Sequence, residues 1–129
     1  MTNTPTTTRE LYELLLQAPG LCGRLTLESE GNLRWDLWEG YHLAISIYKG
    51  HGHISLDKNG FFNCSVTHWH PEPEEILEEL LSIGKTGNLL VIRRSLLGEA
   101  VAHMGPEEEC PRRAKRKGLF SRPLILKAQ

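Results

Sequence analysis

The chain has 129 residues and a mass of 14.6 kDa, a length that fits one domain and argues against most multi-domain arrangements. Its 40% hydrophobic and 24% charged content is ordinary globular composition, against a disordered or collagen-like chain. The net charge of −1 conceals an asymmetry: all sixteen acidic residues lie at or before Glu109 beside eight basic ones, a balance of −8, while seven basic residues crowd into 112–129.

Residues 1–8 are polar and threonine-rich and read as a frayed leader. Thr7 and Glu10 fit a capping box, in which hydroxyl and carboxylate satisfy free backbone N–H groups. Leu11, Leu14, Leu15 and Ala18 recur at helical spacing before Pro19-Gly20, which predicts an amphipathic helix over about 8–18. Alternation then predicts strands at 23–29, 32–38 and 41–48, with Leu33, Trp35 and Leu37 on one face and Leu43, Ile45 and Ile47 on another. Residues 49–52 read as a loop and 53–57 as a short strand. Asn59-Gly60 suits a tight hairpin, because both central residues need positive φ, and leads into a strand over 61–68.

Pro71-Glu72-Pro73-Glu74-Glu75 opens a second helix, where proline loses no hydrogen bond and carboxylates favour the positive end of the dipole. Ile76, Leu77, Leu80 and Leu81 form its buried stripe, and Gly84 reads as a left-handed cap. Residues 88–93 are a buried-type strand, 96–103 a strand or short helix, and 106–111 a charged loop. Residues 119–126 predict an edge strand, since Pro123 cannot donate within a central one. The expected architecture is one α+β domain over 1–129. It has an antiparallel meander sheet, two helices packed on it and, over 106–129, a charged loop and a basic C-terminal tail with a candidate edge strand.

Cys22, Cys64 and Cys110 are odd in number, widely spaced and form no Cys-x-x-Cys motif, against a disulfide framework or zinc ribbon. Cys64 reads as a small buried hydrophobe; on an open face it would be a candidate nucleophile beside a histidine. The start of the chain lacks a basic region followed by an apolar run, and no segment approaches the roughly 20 apolar residues that span a bilayer. A cytoplasmic protein is the expectation.

Four of the six histidines form two His-x-His pairs, His51-Gly52-His53 and His68-Trp69-His70. Alternate strand residues share a face, so each pair can present two imidazoles together, and four imidazoles suffice for zinc or another divalent metal. A two-residue hairpin at 59–60 would place His51 opposite His68, His53 opposite Val66 and His70 opposite Lys49. The competing reading is structural: His51 lies between a glycine pair, and His68 and His70 stand where a strand hands over to a helix. Thr67-His68-Trp69-His70-Pro71-Glu72 resembles the His-x-His-x-Asp-His signature of metallo-β-lactamase-like hydrolases. Glu72 stands in place of the aspartate and Pro73 in place of the next histidine. That resemblance implies a zinc site with Glu72 as base, but it spans only six or seven residues of a chain too short for that fold, and it is set aside. His51-x-His53 followed by Asp57 resembles a cupin metal motif more weakly still.

Three further surfaces are candidates. Trp38 breaks its strand's alternation, as a strand-end plug or an exposed contact, and Trp69 lies nearby; tryptophan anchors many interfaces. Glu72, Glu75, Glu78 and Glu79 line the second helix, as a solvated face or a docking surface for a basic partner. Arg112, Arg113, Lys115, Arg116 and Lys117 form a cationic run. It suits nucleic-acid phosphates, a partner protein, or the acidic body of the same chain. With no complete catalytic constellation, the leading expectation is a non-enzymatic protein-binding accessory or immunity-type protein without cofactor or membrane association. A metal-binding protein or metal-dependent enzyme using the histidine pairs is the alternative, and nucleic-acid binding through the tail a third.

Overall fold

Thr7 starts the first helix as its sequence foretells: its hydroxyl accepts the Glu10 backbone N–H at 3.1 Å, and helix α1 runs Thr8–Gln17. The computed structural model describes residues 4–60 and 64–128. The leader is firmer than expected from Pro5 onward. Pro5 is buried, and the Thr8 hydroxyl accepts the Ile47 N–H at 3.0 Å, tying the helix start to a strand. Residues 1–3 of that leader lie outside the described residues.

Five antiparallel strands follow in meander order: β1 Arg24–Leu27, β2 Leu33–Trp38, β3 Tyr41–Tyr48, β4 His51–Lys58 and β5 Cys64–Trp69. Their period-two patterning does what alternation dictates. Leu33, Trp35, Leu43, Ile45, Ile54 and Leu56 are buried on the inner face, and charged, hydroxyl and imidazole side chains take the outer one. The expected loop over 49–52 shrinks to Lys49-Gly50. Both have positive φ, 51° and 76°, so a two-residue turn closes the hairpin and His51 and Gly52 join β4.

Helix α2, Pro73–Ile83, has proline in its first turn and buries Ile76 and Leu80. Gly84 ends it, but not as a left-handed cap, since its φ is −80°. The Asn88 side-chain amide instead donates to the carbonyls of Ser82 and Ile83, at 2.6 and 3.1 Å, and satisfies the free end of the helix.

The last third builds a second sheet rather than extending the first. Strands β6 Leu89–Ser95, β7 Gly98–Gly105 and β8 Ser121–Lys127 are antiparallel in the order β7-β6-β8. The segment over 96–103, open between strand and helix, therefore lies mainly in strand β7. β8 is an edge strand, as Pro123 requires. β6 is buried on both faces over its first four residues. Leu90 and Ile92 join the core shared with the first sheet and both long helices. Leu89 and Val91 pack against Ala114 of a short third helix, α3 Arg112–Lys115. The basic tail is thus partly architecture: one small apolar residue among its cations lets it lie on the sheet. Among the described residues, no helix is long and apolar enough to cross a membrane.

Candidate functional site

The histidines come together differently from the expected register. Lys58 pairs with Cys64, not with Phe61 as a two-residue turn would have it. The expected strand start at 61–63 lies outside the described residues. A bulge then falls at Val66, because Asp57 pairs with Ser65 and Leu56 with Thr67. A bulge adds one residue to one strand only. His68 consequently lies opposite Ser55, and His51 opposite Tyr48 on β3.

The result brings His53 and His70 together. Their Nδ1 atoms stand 2.9 Å apart, one ring nitrogen donating and the other accepting, with ring centroids at 4.8 Å and planes nearly perpendicular. The His68 ring lies 5.8 Å from that of His70. The three imidazoles edge a shallow groove of about 260 Å³ floored by Ala44, Ser46 and Ser55. His51 does not line it. Gly52 explains the approach: a Cβ there would stand 2.5 Å from the Pro71 carbonyl oxygen and 3.1 Å from Ile76. The bare backbone lets the turn from β5 into α2 cross closely over β4 and seats His70 beside His53. Among the described residues, no three His, Cys, Asp or Glu side chains stand ready as a metal cluster.

The same outer face carries a second polar chain. Buried His42 sets Nδ1 2.5 Å from Asn59 Oδ1 and Nε2 3.6 Å from Asp57. Asp57 accepts a hydrogen bond from Ser55, which contacts Ser65 at 2.8 Å. Asp57 lies between imidazole and hydroxyl, the reverse of the order that activates a serine, so the chain ties β3, β4 and β5 together. Cys64 is exposed rather than buried as its strand position suggested, and no histidine hydrogen-bonds it among the described residues.

The tryptophans leave the surface. Trp38 is 3% exposed, and its indole N–H points at the Asn88 carbonyl at 3.5 Å; it is the strand-end plug, not a contact residue. Trp69 is half-buried against the core. Glu72, Glu75 and Glu78 are exposed and Glu79 half-buried. Glu72 caps α2 through its backbone carbonyl, which accepts from Glu75 and Ile76.

The basic tail presents its charge to solvent. Arg112, Arg113, Lys115, Arg116 and Lys117 are all exposed, and among the described residues none of the five forms an ion pair; Lys127 with Glu107 at 3.7 Å is the tail's contact with an acid. The tail is held by another cation. Arg93 donates to the carbonyls of Ala114, at 3.3 Å, and Arg116, and to the Ser121 hydroxyl. Removing this clamp frees a trypsin-sensitive run without deleting its cleavage sites. Arg93→Ala is expected to speed tryptic cleavage within 112–117 roughly tenfold, as local opening becomes about 1.4 kcal/mol easier. An unchanged digestion rate would refute the clamp.

One surface feature escaped the sequence reading. The β6–β7 turn and the entry to β8 lie at the same end of the second sheet, because Ser95 pairs with both Gly98 and Ser121. Leu96, Leu97, Leu119 and Phe120 are 92%, 100%, 90% and 72% exposed there. Beside them is a groove of about 510 Å³ lined by Leu96, Leu119, Phe120, Pro123, Leu124 and Arg122, among others. The sequence signal was present: paired apolar residues beside Gly98 and after Gly118 occupy connections that ordinarily carry polar ones.

Comparison with known proteins yields no match to a family model, a curated protein or a solved structure.

Proposed function

We propose that this chain is a binding protein that docks an acidic segment of a partner protein, through an apolar anchor, at the tip of its second sheet. The observation that carries the reading is the group of four large apolar side chains held in water at one end of that sheet. Scattered exposed leucines need no explanation, but a cluster rimmed by polar groups marks an interaction surface.

Charge selects the partner. The cations of 112–117 run directly into Leu119-Phe120, and exposed Arg122 follows. Such a rim speeds the encounter with an acidic ligand and repels a basic one. Shape favours a protein over a lipid surface, since the groove is concave and suits an inserted side chain. Among the described residues β8 is an edge strand of its sheet, a position at which an extended peptide can add as a further strand.

Peptide selection on the full chain tests the proposal, with anionic vesicles and single-stranded oligonucleotide as competing ligands. Selected peptides are expected to combine an aromatic or leucine anchor with flanking Asp or Glu. Phe120→Ala is expected to weaken them roughly tenfold, from about 1.4 kcal/mol of lost apolar burial, while leaving thermal unfolding unchanged. Equal peptide binding by that variant, or binding confined to vesicles or oligonucleotide, would overturn the proposal.

A further inference from the structure

We infer that His53 and His70 form a cross-strand clip for a late first-row divalent metal ion of the Ni²⁺ or Cu²⁺ type. The inference stands on the outer face of the first sheet and is independent of the docking surface on the second.

Two imidazole nitrogens 2.9 Å apart are close to the spacing of cis ligands on one ion. With metal–nitrogen bonds of about 2.0–2.1 Å, that separation subtends about 90° at the metal. This is the angle of square-planar or octahedral coordination, which Cu²⁺ and Ni²⁺ favour; tetrahedral zinc needs a wider spread. One Nδ1 carries the proton of this hydrogen bond; on binding, that ring takes the tautomer protonated at Nε2, so that both Nδ1 lone pairs are free for the ion. The two rings turn about their broad χ2 wells until both lone pairs meet at the ion. Neither movement is opposed by packing, because His70 is exposed and His53 half-exposed.

The backbone fixes the spacing. Gly52 brings the Pro71 turn against β4, and the Ile54–Trp69 and Ser55–His68 pairs hold the strands in register up to the clip. His68 is exposed, its ring 5.8 Å from that of His70, and it supplies a third imidazole by changing rotamer. The groove of about 260 Å³ leaves room for waters that complete the coordination shell. Ser46 and Ser55, which also line the groove, present hydroxyls to those waters.

Calorimetric titration of Ni²⁺, and separately of Zn²⁺, into tag-free full-length protein tests the clip. One Ni²⁺ per chain is expected, held at least as tightly as Zn²⁺. His53→Ala and His70→Ala should each weaken it tenfold or more, and His68→Ala less. His51→Ala and His103→Ala should leave it unchanged. The two key residues lie at the surface, so each variant's thermal unfolding should match that of the parent without metal. Absence of stoichiometric binding, an equal loss in the His51 variant, or clear preference for Zn²⁺ would overturn the assignment.

Discussion

Gly84→Ala is expected to destabilise the fold by about 3 kcal/mol, at the upper end of overpacking costs, and to lower Tm by roughly 10 °C. The substitution is benign by every local criterion. The backbone there, at φ −80° and ψ 7°, is open to alanine, and replacing glycine narrows the unfolded ensemble, which by itself stabilises by about 0.4–1 kcal/mol. What opposes it is the Trp35 ring, whose Cζ2 and Cη2 occupy the space the new methyl would take. Trp35 cannot retreat cheaply. It is 1% exposed, packed in the main core, and its indole N–H donates to the Cys22 carbonyl at 2.9 Å. The clash outweighs the entropy gain and the sign is destabilising. Trp35→Phe shortens the ring at the point of contact, so the double variant should lose less than the two single losses added together. Urea unfolding of all four proteins measures that coupling. Additive losses would mean the ring and the glycine do not bear on one another.

Gly84 also shows which part of this fold was legible. A glycine at a helix end predicts positive φ by default, and nothing local reveals a tryptophan from β2 lying across it. The meander was legible because each of β2, β3 and β4 declares its buried face by alternation, and neighbours in sequence are neighbours in the sheet. The histidine register was not. A bulge at Val66 shifts every later residue of β5 by one place, and bulges leave no periodic trace. The turn before it shifts the register by three places more, since Lys58 pairs with Cys64, and the four together bring His70 rather than Val66 to His53, while His51 pairs with Tyr48 of β3 beyond the end of β5. The second sheet was hidden for another reason: β8 joins β6 across about thirty residues of chain, and no pattern within either strand names its partner. The exposed cluster at 96–97 and 119–120 was not legible either, because apolar residues at strand ends read as strand.

The two sheets are joined by a second kind of contact, and Glu99→Ala is expected to cost about 2 kcal/mol at neutral pH. Glu99 on β7 accepts the Tyr41 hydroxyl of β3 at 3.0 Å and Arg94 Nε at 2.9 Å, and pairs with Lys58 of β4 at 3.4 Å. Arg94 and Lys58 are nearly half-exposed, so water would solvate them again and their pairing alone is worth little. Tyr41 is 2% exposed, and losing its acceptor is the larger penalty. Burial pushes the Glu99 carboxyl upward, but the hydrogen bonds from Tyr41 and Arg94 and the charge of Lys58 outweigh it, and the net shift is below the ordinary value of 4.5. A lowered folded value means that the unfolded chain takes up the proton first. The ionised group's contribution is therefore complete above 4.5 and is lost as pH falls through the lowered value. Glu99→Gln separates charge from shape, since the amide oxygen still accepts from Tyr41. The stability gap between parent and Glu99→Gln should be widest at neutral pH and close as pH falls below 4.5 through the lowered value. Other carboxylates titrate in both proteins and cancel in the difference. A gap that stays constant across that range would mean that the two sheets are held here by shape and neutral hydrogen bonds, with the carboxylate charge contributing nothing.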